Sequence, residues 1–205
     1  MAEGDEHEVR EDNSLGRLLA LSDGVFAIAM TLLALDLRLP DLGGDPTDAA
    51  LRDALGDQVP TLLAFVITFY IVASYWGSHR RLMRRVTAVS PGLIGHTIVV
   101  LLLVAALPFP ASVLAEHGDL PSGLAFYGAY NVVAILALLL LRRDVVRLGA
   151  PAREIDAFGL IADGVVFALC IPAGYVLRGS GPFVLLLLIV AGRLSASRQR
   201  RASAG

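Results

Sequence analysis

The sequence predicts an all-α membrane protein with six transmembrane helices per chain and both termini cytoplasmic. Three observations carry that prediction. Of 205 residues, 56% are hydrophobic and 18% charged, with a mean hydropathy of +0.67, more apolar surface than a single soluble core of this length requires. Six apolar runs, near 18–39, 59–78, 93–115, 122–141, 157–177 and 181–197, approach the roughly 20 residues that cross a bilayer. The 17 basic residues are all arginine. With loops assigned alternately to the two faces, Arg10, Arg17, Arg80, Arg81, Arg84, Arg85, Arg142, Arg143, Arg147, Arg153, Arg193, Arg198, Arg200 and Arg201 fall on one side and only Arg38, Arg52 and Arg178 on the other. By the positive-inside rule the arginine-rich side is cytoplasmic.

Residues 1–16 carry Glu3, Asp5, Glu6, Glu8, Glu11 and Asp12, too polar to bury anything and expected to lack order. Their acidity also argues against a secretory signal, whose leading segment is basic. Residues 17–197 form the six-helix domain, and 198–205 a basic cytoplasmic tail. Between the first two runs, "PDLGGDPTDAALRDALGDQVP" is acidic and punctuated by Pro40, Pro46 and Pro60, with a short helix predicted over 47–57 under a Thr47 or Asp48 cap. The single cysteine, Cys170, lies inside the fifth run and excludes an internal disulfide or a cysteine-based zinc site. "LSDGVFAIA" in the first run and "IADGVVFAL" in the fifth share Asp-Gly-Val, read as a small-residue packing motif used twice.

The first run raises the functional question, because it places Asp23 and Gly24 where a plain anchor would use leucine. At about 100° per residue with Ile28 at zero, Leu32 falls near 40°, Leu35 near 340° and Thr31 near 300°. These four side chains make one aliphatic stripe with a single hydroxyl. Asp23 falls near 220°, turned away toward other helices of its own subunit. An acid within a span costs on the order of 3 kcal/mol unless partnered. Trp76, His79 and His96 lie at matching cytoplasmic depth as candidate partners, Arg17 is close enough to help at the membrane surface, and Gly24 offers a neighbouring helix a close approach.

"RLLALSD", residues 17–23, followed by "GVFAIAMTLL", resembles the RxxxFSD signature that opens the first helix of the transmembrane protein 175 family of potassium channels, in its bacterial six-span form. Leu21 stands where that signature has phenylalanine. Trp76, His79, Pro108-Phe109-Pro110 and Tyr127 extend the resemblance to about residue 130. It implies a homotetramer in a bacterial inner membrane whose first helices line a central pore, with a constriction at Ile28, a hydroxyl layer at Thr31 and apolar layers at Leu32 and Leu35. Potassium would pass near Thr31 without a fixed ligand set. Arg17, Ser22 and Asp23 would join Trp76, His79 and His96 in a structural polar network. The expected partners are further copies of the chain, potassium ions and the lipid bilayer; no cofactor and no nucleic acid are expected.

Other chemistries find little footing. Asp23 and Asp163, two acids in different runs, suggest a proton-coupled transporter as the alternative, but corresponding halves show no paired broken helices. An aspartyl protease would need a GxGD context around such a pair, which is missing. His7, His79, His96 and His117 show no HExxH spacing, and no phosphate-binding loop is present. "PAGYVL" at 172–177 resembles a filter fragment only in Gly174-Tyr175, and reads as a packing or kink site.

Overall fold

The structure, a computed structural model, describes residues 2–45, 47–86, 89–151 and 158–176. Its regular elements are all helical: α1 (Ala2–Leu32) continuing as a 3-10 turn (Leu33–Asp36), α2 (Asp48–Asp57), α3 (Val59–Met83), α4 (Pro91–Ala105), α5 (Pro108–His117), α6 (Pro121–Arg147) and α7 (Phe158–Val176). Five stretches among the described residues are long and apolar enough to cross a membrane: Ser14–Asp36, Val59–Met83, Pro91–His117, Pro121–Arg147 and Gly159–Val176. The expected sixth run at 181–197 and the tail at 198–205 lie outside the described residues.

Local chemistry explains several element ends. Thr47 caps α2, its hydroxyl accepting from Ala50 N at 3.2 Å, as the sequence led one to expect. Ser90 does the same for α4 through Leu93 N, with Pro91 at the first helical position, where a missing N–H costs nothing. Span three is two helices in line. Pro108, which cannot donate to the preceding turn, closes α4 and opens α5.

The head of α1 departs from expectation. Helix begins at Ala2, so residues 2–16, expected to lack order, continue the first span without a break. Adding a residue to an existing helix avoids the cost of a new nucleus, and no proline interrupts the chain before Pro40.

α6 occupies the centre, packed against α7, α4, α5 and α3, while α1 leans on α4 and α3. Polar side chains stitch α3 to α6 inside the core. Thr68 Oγ1 and Tyr127 OH share a hydrogen bond at 2.9 Å, Tyr75 OH donates to Asn131 Oδ1 at 2.9 Å, and Asn131 Nδ2 donates to the Tyr127 carbonyl at 2.9 Å. All four residues are buried, where an unpaired polar group has no water to turn to. α7 touches α6 almost backbone to backbone: a Cβ on Gly128 would stand 2.8 Å from the Phe167 carbonyl oxygen, and one on Gly174 would stand 2.9 Å from that of Pro121. Gly174 is therefore a packing site within a continuous helix, while Tyr175 beside it is exposed.

Candidate functional site

Leu18, Ser22, Phe26, Ala29 and Leu33 are buried, and their spacing of four, four, three and four draws one stripe along α1, centred about 120° round from Ile28. That stripe holds α1 on the subunit. The opposite arc is uncovered. Ile28 is 60% exposed, Leu35 54% and Leu32 40%, the last least because it stands nearest the buried arc, and Thr31 is exposed beside them.

The change to 3-10 winding at Leu33 alters the expected register. Three residues now make a full turn, so Leu35 stands over Leu32 instead of drifting back past Ile28. The steeper rise also stretches the ridge from Ile28 to Leu35 to about 12 Å, against about 10 Å for an unbroken α-helix. Arg38 closes the turn, its Nε donating to the Leu35 carbonyl at 2.8 Å. Within the ridge, the Thr31 hydroxyl donates its hydrogen to the Ile28 carbonyl at 2.8 Å. Its oxygen is left as an acceptor on the uncovered face.

Asp23 sits at the seam between the two arcs. The residue is exposed, yet its carboxylate turns inward and accepts the Trp76 indole N–H at 2.7 Å. Ser22, deeper in the same turn, is buried and donates to the Leu18 carbonyl at 2.8 Å. His79 is buried one turn from Trp76 with its ring 5.6 Å from that of Phe26, and its Nε2 has no hydrogen-bond partner among the described residues. His96 is not joined to Asp23: its Nδ1 pairs with Asp144 Oδ2 on α6 at 2.5 Å, with Arg147 Nη1 3.9 Å from the other carboxylate oxygen. The nearer acid wins His96 because α4 lies against α6 as well as α1. Arg17 is exposed and forms no ion pair with a described residue. Gly24 also differs from expectation, for a Cβ there would meet nothing within 4 Å. No described helix of the same subunit uses the room it leaves.

Sequence reasoning missed Asp144 and the Thr68–Tyr127 and Tyr75–Asn131 pairs. A signal existed for the pairs: Tyr127 and Asn131 are four apart and Thr68 and Tyr75 seven apart, so each pair repeats on one helix face within an apolar span. Asp144 was hidden by Arg142, Arg143 and Arg147, which made it look like part of a solvated charge run.

A bundle of apolar helices whose first span is buried along one stripe and open along an aliphatic ridge defines an α-helical integral membrane protein. Residues 17–108, a little under half of the chain, match the model of the family described as endosomal/lysosomal potassium channel TMEM175. A Streptomyces collinus protein named a potassium channel is 41% identical over 105 residues, which are 51% of this chain and 50% of that protein. A Chamaesiphon minutus protein, also named a potassium channel, is 36% identical over 110 residues, 54% of each chain. The chain thus spans about half the length of these curated relatives. The crystal structure of a lysosomal potassium-selective channel TMEM175 homolog from Chamaesiphon minutus is similar with a TM-score of 0.69 and 26% identity, covering 89% of this chain and 98% of that one. The likeness therefore reaches beyond the signature region into α6. With bacterial relatives and five membrane-length helices, the protein is an integral protein of a bacterial membrane.

Proposed function

We propose that the chain is a potassium-permeable cation channel, not an enzyme, assembled as a homotetramer with both termini cytoplasmic. The observation that carries this reading is the uncovered ridge of Ile28, Thr31, Leu32 and Leu35 on a helix fixed to its subunit by the opposite face. Turned toward a four-fold axis, four Ile28 side chains close a dry ring in which a hydrated cation must shed water without replacement, a gate that works by dewetting. When the ring widens, the Thr31 oxygens, their hydrogens already given to the Ile28 carbonyls, face the axis as acceptors. Four neutral oxygens repay part of the dehydration cost, and potassium, with the lower cost, gains over sodium. The preference is modest because the sequence holds no TVGYG string. Asp23, held by Trp76, supports α1 and stays off the ion path. The similar proteins are named channels, which disfavours a proton-coupled transporter built on Asp23 and Asp163.

Reconstituted into liposomes with a potassium gradient, Ile28→Asn should raise the basal cation leak about ten-fold or more, since a polar ring removes the dewetting barrier. A leak equal to that of the parent would reject the pore assignment.

A further inference from the structure

The arginines that close α3 serve as topology signals, but Arg80 has a second connection. Its guanidinium carbon lies 5.2 Å from the centroid of the Trp76 ring, and that same indole donates to Asp23 on α1. A continuous relay, Arg80 to Trp76 to Asp23, thus joins the cytoplasmic surface to the helix that bears the open ridge. Arg80 and Arg84 are exposed and one turn apart on the same face, and no ion pair involves either among the described residues. Their neighbour Arg81 differs, with Nη2 donating to Ser78 Oγ at 2.8 Å. The apolar span ends at Met83, so on the arginine-rich side these two guanidinium groups stand at headgroup depth, beside an indole of the kind that settles there.

We propose that Arg80 and Arg84 hold the phosphodiester of an anionic phospholipid of the cytoplasmic leaflet, and that this headgroup strengthens the grip of Trp76 on Asp23. A guanidinium stacks flat on an aromatic face while its edge N–H groups bind a phosphate oxygen pair, so one lipid is bound without lifting Arg80 from the ring. A cation fixed over the indole face polarises the ring and makes its N–H a better donor. The tighter Trp76–Asp23 bond then holds α1 in one position. The effect on ion flow rests on the channel reading; the lipid site itself does not.

The test uses full-length protein purified with its lipids and then placed in vesicles of phosphatidylcholine alone or mixed with phosphatidylglycerol. Retained phosphatidylglycerol is counted by native mass spectrometry and potassium flux is followed in the same preparations. Arg80→Gln should lower retention about five-fold, the weight of one basic residue at an anionic surface, and Arg81→Gln less than two-fold. Equal losses from the two variants would mean a diffuse surface charge and overturn the site. Trp76→Phe keeps a ring for Arg80 but no N–H: it should retain the lipid and lose the difference in flux between the two vesicle types, and an unchanged difference would overturn the relay. Inorganic phosphate added to phosphatidylcholine vesicles should leave flux unaltered; a response equal to that of phosphatidylglycerol would assign the site to a soluble anion instead. Absence of flux in every vesicle would reject the channel reading, while the retention measurements still decide the lipid site.

Discussion

The tripeptide Asp-Gly-Val occurs in α1 at residues 23–25 and in α7 at residues 163–165, and the two copies meet different surroundings. In α1, a Cβ on Gly24 would meet nothing within 4 Å, whereas one on Gly164 would stand 3.4 Å from Ile135 Cγ2 of α6. Asp23 is exposed at the seam of its helix and held by Trp76, while Asp163 is half-buried. The same letters therefore close a helix interface in α7 and leave one open in α1. A glycine becomes a packing site only when another element comes to it, and α7 lies along the central helix while α1 lies at the rim of the subunit. The room at Gly24 belongs to whatever adjoins the open ridge, which in the proposed tetramer is the neighbouring copy.

Leucine placed in turn at the two glycines tests that contrast most strongly. Gly164→Leu should overfill the α6–α7 contact by about 2 kcal/mol and lower the melting midpoint by about 5 °C, as read by thermal unfolding in detergent. Gly24→Leu should leave that midpoint unchanged and instead reduce the tetramer fraction in native mass spectrometry. If Gly24→Leu lowered the midpoint as much as Gly164→Leu, the open side of α1 would not be a boundary between subunits. Next in size is Asp23→Ala, which strands the Trp76 N–H; a bond to a charged acceptor of this kind makes a loss of tetramer on the order of ten-fold reasonable. A normal tetramer with altered ion preference would move Asp23 from support to permeation. The smallest effect belongs to Thr31→Ala. It removes only the hydroxyl layer, so potassium should lose about two- to three-fold of its advantage over sodium in bi-ionic recordings, given the weight of a single weak oxygen contact. An unchanged reversal potential would transfer any selectivity to backbone carbonyls or to another layer.

Asp23 also shows where pattern reading stops. Its angle near 220° on the helix, about 60° from Phe26 near 160°, separates it from the Ile28 ridge before any coordinates are known, and the depth match to Trp76 follows from helix rise alone. Angle does not choose among partners. Trp76, His79 and His96 were equal candidates by depth, and only the docking of α4 against α6 reveals that Asp144 takes His96. The 3-10 turn at Leu33–Asp36 is another feature without a clear mark in the sequence, since leucine and alanine fit either winding and the change is set by how the helix end meets Arg38 and the loop beyond.

What the sequence determined by itself is the solvent and the periodicity: apolar runs of bilayer length, arginine on one side, and an aliphatic ridge separate from the acid, because hydrophobic transfer and helix geometry act residue by residue. What only the tertiary structure decided is which faces are covered. Burial of Phe26 and Ser22, exposure of Ile28 and the open space at Gly24 depend on where α3 and α4 come to rest against α1, a property of the packed bundle that no single helix encodes.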